Sequence, residues 1–103
     1  MHYGKEHLVV GKSLNHLGRI YILEQNLSKA KEVIIKAFGI LEKANHPEKY
    51  RSLELLGDMY AERSQKELQI SGRTSKYKFL KAKSIKYFEQ SLEVVQKYYP
   101  ENS

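Results

Sequence analysis

The chain has 103 residues, a net charge of +6 at pH 7, 41% hydrophobic and 29% charged residues, and no cysteine. That is chain for one small domain, and it excludes disulfides, thiolate metal sites and thiol nucleophiles. No apolar run approaches the roughly 18 residues a membrane-spanning helix needs, and the stretch from Met1 to His7 has no apolar signal core, so the expected location is the reducing cytoplasm.

Val10, Leu14, Leu17 and Tyr21 recur at helical spacing and predict a first helix over about 8–24, with these side chains as its apolar face. Gly18 inside it costs about 1 kcal/mol against Ala, which makes sense if a neighbouring helix passes too close for a side chain. Asn26 suits a left-handed helix end and Ser28 an N-cap. A second helix over about 28–44 then carries the stripe Ala30, Ile34, Ala37, Leu41 and Ala44. Asn45-His46-Pro47 breaks the chain, and Pro47 suits the first turn of a third helix over about 48–70. Ser71-Gly72-Arg73-Thr74-Ser75 has loop composition. A fourth helix over about 76–98 should turn Ile85, Phe88, Leu92 and Val95 inward, with Phe79, Lys83 and Lys86 opposite and Tyr87 at the flank. The expected organisation is all-α: one domain of two antiparallel hairpins, about 8–44 and about 48–98, with a tail over 99–103.

The hairpins repeat each other. At an offset of 39 residues His7 meets His46, Ser13 meets Ser52, Leu14 meets Leu53, Leu17 meets Leu56, Gly18 meets Gly57 and Tyr21 meets Tyr60. The shared core, Leu14-x-x-Leu17-Gly18-x-x-Tyr21 and Leu53-x-x-Leu56-Gly57-x-x-Tyr60, resembles the first helix of a tetratricopeptide repeat, with Leu in place of Trp. Ala30, Ile34 and Ala37 are similar to the A-x-x-x-F-x-x-A of that family's second helix. Tyr3-Gly4-Lys5-Glu6-His7 resembles the linker of kinesin-light-chain repeats, with Leu8 where that family has Pro.

In the second hairpin the matching spacing falls on Ser84, Phe88 and Ser91. Gly18 to Ala30 is 12 residues, whereas Gly57 to Ser84 is 27. If each helix takes about half of this insert, each grows by roughly 10 Å at 1.5 Å per residue; a loose disordered insert is the alternative, and the helix-friendly run 61–69 argues against it.

Nothing in the pattern points to a reaction centre. Gly11-Lys12-Ser13 looks like the end of a phosphate-binding loop, but that motif needs glycine five residues before Gly11, where Glu6 stands. His2, His7, His16 and His46 include no pair at helical spacing, so no metal site is expected, and His7 and His46 read as turn or capping residues. No nucleophile elbow surrounds any serine. The expectation is no enzyme and no cofactor.

The resemblance instead implies a protein-interaction module that takes a peptide or helix of a partner in a concave groove, as part of a larger repeat array. The first helix of each hairpin would line that groove, through Lys12, Asn15, His16 and Arg19, and through Arg51, Glu54, Leu55, Asp58 and Glu62. Asn15 resembles one of the asparagines that hold a peptide backbone in kinesin-light-chain repeats, offering both a donor and an acceptor. His16 stands where the second would be. The bland alternative is an ion pair between Arg19 and Asp58 or Glu54.

A second reading comes from charge. Between Glu67 and Glu89 there is no acidic residue, and the window holds Arg73, Lys76, Lys78, Lys81, Lys83 and Lys86. With Phe79 these form a basic patch that is a runner-up site for nucleic acid or an anionic membrane, against a plain solvated lysine face. Finally, about three stacked repeats are usually needed for stability, and two are present. Either the chain is the last part of a longer array, or it self-associates through its open repeat faces.

Overall fold

Sparse proline and periodic apolar positions leave the chain free to form long helices, and it does. The computed structural model describes residues 5–100, with side chains from His7 onward. It contains α1 (Lys5–Leu23), α2 (Leu27–Lys43), α3 (Lys49–Ser71) and α4 (Ser75–Tyr98), and no strand among the described residues. The Tyr3-Gly4 part of the linker pattern and residues 101–103 lie outside them.

Both early helices end in the same way. Gln25 (φ 64°) closes α1 in the left-handed conformation, with Asn26 N–H donating to the Tyr21 carbonyl and Gln25 N–H to that of Ile22. Asn45 (φ 52°) closes α2, with His46 N–H donating to Leu41 and Asn45 N–H to Glu42. Each closure satisfies carbonyls that the last helical turn leaves unpaired. The roles read for Asn26 and Ser28 therefore shift. Gln25 takes the left-handed position, and Asn26 is the N-cap of α2, its Oδ1 accepting from Lys29 N–H at 3.4 Å. Pro47 lies just before α3 rather than inside it, in a turn where His46 Nδ1 accepts from Glu48 N–H at 3.1 Å.

The extra residues of the second hairpin are helical. Leu23 corresponds to Glu62, yet α3 continues to Ser71; Leu27 corresponds to Lys81, yet α4 begins at Ser75. The loops 24–26 and 72–74 are equally short. In the second, Gly72 (φ 80°) supplies the left-handed turn. Thr74 caps α4, its Oγ1 accepting from Tyr77 N–H at 3.0 Å and donating to Glu67 Oε2 at 2.8 Å.

Packing follows the small residues. Ala30, Ile34, Ala37 and Leu41 of α2 are fully buried, and Ile34 fills the space beside Gly18. Ile34 and Ala30 share one cluster with Ile22, Leu56, Met59, Tyr60 and Leu80. Helix α2 thus packs on both α1 and α3, α1 touches α3, and α4 packs on α3 alone.

Two faces differ from their sequence reading. In α1 the buried positions are Gly11, Asn15, Gly18 and Ile22, while Val10 and Leu17 are exposed and Leu14 and Tyr21 half-buried. In α4 they are Leu80, Ser84 and Ser91, with Tyr87 stacked on Tyr60 at 5.7 Å, while Ile85 and Leu92 stay exposed and Val95 is half-buried; Phe88 does turn its ring onto Gly57 of α3, with its outer side open. The physical reason is close approach. Serine is small enough to bring α4 onto α3, and its hydroxyl finds a backbone partner there: Ser84 Oγ donates to the Gly57 carbonyl at 2.8 Å and Ser91 Oγ to that of Tyr50 at 2.9 Å. Hydroxyls satisfied in this way can be buried at little cost.

Candidate functional site

Helices α1 and α3 run side by side, and between them opens a groove of ≈ 510 Å³ lined by Lys12, Asn15, His16, Arg19, Glu48, Arg51, Glu54, Leu55 and Asp58. The groove positions read from sequence are thus brought together, Glu62 excepted. Glu62 lies one turn further on and accepts from Gln25 Nε2 at 3.3 Å, turned to the α1–α2 loop. Glu48 is the lining residue that the sequence reading missed. Its signal was there: 48, 51, 55 and 58 recur at helical spacing along one face.

Asn15 is more deeply set than a simple ligand-holding residue. It is buried, and its Oδ1 accepts from Ser52 Oγ at 2.8 Å, with Ser52 completely enclosed. That bond ties α1 to α3 and fixes the amide plane. The Nδ2 group donates to no protein atom among the described residues, and no side-chain nitrogen or oxygen there is both buried and unpaired. The amide donor therefore remains available on the groove side, while the oxygen has one of its two lone pairs engaged in the scaffold.

The charges are arranged along the groove. At one end Lys12 Nζ lies 3.1 Å from Glu48 Oε2, and Arg51 Nε lies 3.3 Å from Glu48 Oε1. Burial pushes the Glu48 carboxyl up, but the Lys12 hydrogen bond and the Lys12, Arg51 and His46 charges outweigh it, so its pKa is lowered. At the other end Asp58 is pushed up by burial and by Glu54 and Glu62, against the opposing pull of Arg19. Arg19 feels Asp58 at a distance but makes no ion pair within 4.0 Å among the described residues. The Arg19 pairing considered as an alternative is not formed; Lys12 and Arg51 hold Glu48 instead. One end of the groove is thus internally neutralised. The other presents an exposed guanidinium beside carboxylates that would gain from a cation.

The basic segment is not one patch. Lys76 is 4.0 Å from Glu67, and Lys81 stands over the Tyr77 ring at 5.7 Å. Lys83 leans between Tyr60 and Phe79, at 5.2 and 5.5 Å from their ring centres. Arg73 lies in the α3–α4 loop, and Lys78 and Lys86 are exposed elsewhere on α4. Phe79 itself is 61% exposed.

Among the described residues no three His, Asp or Glu side chains are grouped to hold a metal ion, and no helix is long and apolar enough to cross a membrane. No family model matches the chain, and no curated protein or solved structure matches it either.

Proposed function

We propose that the chain is a tetratricopeptide-type interaction module of the cytoplasm, part of a larger repeat array, that receives an extended peptide or a helix of a partner protein in the groove between α1 and α3. No catalytic step belongs to this reading. The observation that carries it is the convergence of polar side chains from two repeated helices on one open groove, with the Asn15 amide held by Ser52 and its donor unused. A peptide carbonyl suits that donor, a peptide carboxylate suits Arg19, and a lysine or arginine of the peptide suits Asp58 and Glu54. Leu55 gives the floor an apolar contact. The α1–α2–α3 packing around Ile34, with glycine at the closest approach, supports the repeat reading, as does the matching loop closure at Gln25 and Asn45.

The test is selection of peptides from a random library against the chain. Selected peptides should carry both an acidic and a basic residue. Arg19→Ala and Asp58→Asn should each weaken them by about 5–10-fold, equivalent to about 1–1.4 kcal/mol. Full affinity in both variants would remove the groove from consideration.

The runner-up reading, electrostatic docking of nucleic acid or an anionic membrane through residues 73–86, rests on Phe79, exposed beside the Lys83 ammonium. Its lysines point in several directions and Lys76 is drawn to Glu67, which is why it ranks second.

A further inference from the structure

Helix α3 is the counterpart of α1 at an offset of 39 residues, and α4 is the counterpart of α2 at an offset of 54, which aligns Ile34 with Phe88. The two hairpins meet chiefly where α2 packs on α3, with Ile34 of α2 and Leu56, Met59 and Tyr60 of α3 in one buried cluster. Each half of that contact exists a second time, uncovered. On α1, Leu17 is 37% exposed where its counterpart Leu56 is 4%, and Ile20 is 50% exposed where Met59 is 0%. On α4, Phe88 is 37% exposed where Ile34 is 0%, and Leu92 beside it is 53% exposed.

The geometry points to head-to-tail self-association: α4 of one copy packs on α1 of the next, repeating between molecules the α2–α3 contact made within each one. The occupant is a second copy because the two open faces are the two sides of one interface already formed in this chain. Charge agrees. Within the chain that interface is flanked by Lys31 over the Tyr60 ring at 5.8 Å and by the Lys49–Glu42 ion pair at 3.1 Å. Their counterparts between copies are Ile85 with Tyr21 and Val10 with Gln96, all uncharged. The excess positive charge of the chain lies on the α4 side of the junction, in Lys76, Lys78, Lys81, Lys83 and Lys86, and these counterpart positions add none to it. Because the two faces differ and lie at opposite ends, the contact does not close on itself, and copies add in a row.

Sedimentation velocity of the full chain between about 10 μM and 1 mM, the range of weak contacts, tests this together with Leu17→Glu and Leu92→Glu. The unaltered chain should grow from its 12.0 kDa mass past the dimer as concentration rises. Each variant alone should remain monomeric, since one of its two faces is blocked. An equimolar mixture of the two should stop at a dimer, because one intact α4 face meets one intact α1 face. Circular dichroism checks that the variants fold; Ile20→Glu and Ile85→Glu serve in their place if they do not. A strict monomer at every concentration overturns the proposal, and would fit faces that await a further hairpin. So does a Leu17→Glu variant that still dimerises, which would mean a closed α4–α4 contact. None of these substitutions lies in the groove, so failure here leaves the peptide-binding reading standing.

Discussion

The ring of Phe88 occupies the space that a side chain at position 57 would need: a Cβ on Gly57 would come within 2.8 Å of Phe88 Cδ1. Gly18 has the same relationship to Ile34, but with a difference that decides the energetics. Phe88 is partly exposed and its ring can swing outward, whereas Ile34 is wholly enclosed. Gly18→Ala should cost about 1–3 kcal/mol through overpacking. Gly57→Ala should cost less, about 1 kcal/mol or below, after the helix-propensity gain. Gly39, with nothing within 4 Å of a new Cβ, should gain about 0.5–1 kcal/mol on change to Ala. Thermal melts of the three variants should rank them in that order, and equal losses for Gly18 and Gly39 would contradict the packing described.

The Asn15–Ser52 bond predicts an asymmetric pair of variants. Ser52→Ala leaves Asn15 Oδ1 without its donor, but Asn15 borders the groove, where water can replace it. Asn15→Ala strands a hydroxyl that is completely enclosed. Urea unfolding should show a loss of about 1–3 kcal/mol for Asn15→Ala and of about 1 kcal/mol or less for Ser52→Ala. Equal losses would mean that the hydroxyl turns to a backbone carbonyl of its own helix.

The two groove carboxylates act in opposite directions in acid. The Glu48 pKa is lowered in the folded chain, so its stabilising effect is present above the ordinary carboxylate range and is lost as pH falls through its folded value. The Asp58 pKa is raised, so its ionised form weighs against folding above that raised value, and the penalty is relieved as pH falls through it. Carbon-detected titration of the side-chain carboxyls should place Asp58 above the ordinary aspartate value and Glu48 below the ordinary glutamate value. Lys12→Ala should move the Glu48 midpoint up, Arg19→Ala should move that of Asp58 up, and Glu54→Gln should move it down. Midpoints unmoved by these changes would remove the described charge arrangement.

Salt separates the two functional readings. A peptide held by the Asn15 amide, Leu55 and one or two ion pairs should lose only about tenfold in affinity between about 50 and 200 mM salt, taken as roughly two charges released. A phosphate-tracking surface with six or more contacts should lose about 10³-fold or more over that interval. Neutralising Lys76, Lys78, Lys81 and Lys83 to Gln should leave peptide affinity within about twofold, a change of about 0.4 kcal/mol. A fall of tenfold or more would favour the basic segment.

The helices could be read from apolar spacing, the α3–α4 loop from the composition around Gly72, and the groove-lining positions from the family resemblance. Leu14-x-x-Leu17-Gly18-x-x-Tyr21 and its copy fix the register, and register places residues 12, 16 and 19 on one face. The insert could be read as helix because no breaker interrupts 61–69. What spacing does not reveal is which face is buried. An apolar stripe was read as an inward one, yet Leu17, Ile85 and Leu92 are exposed while Asn15, Ser84 and Ser91 are enclosed. Burial here is governed by small size and by hydroxyls that reach carbonyls of the next helix, and both depend on a neighbour that the local sequence does not name. Glu48 was passed over because it stands at the N-cap, one position before α3, although it continues the spacing of 51, 55 and 58 and meets Lys12 across the groove.

The most direct measurement is a chemical-shift map of the isotopically labelled chain on addition of a library-selected peptide. The account predicts that the largest changes fall on Lys12, Asn15, His16, Arg19, Arg51 and Asp58, with intermolecular contacts from the peptide to Leu55. Changes confined to residues 76–86, with the α1 and α3 signals unmoved, would contradict it.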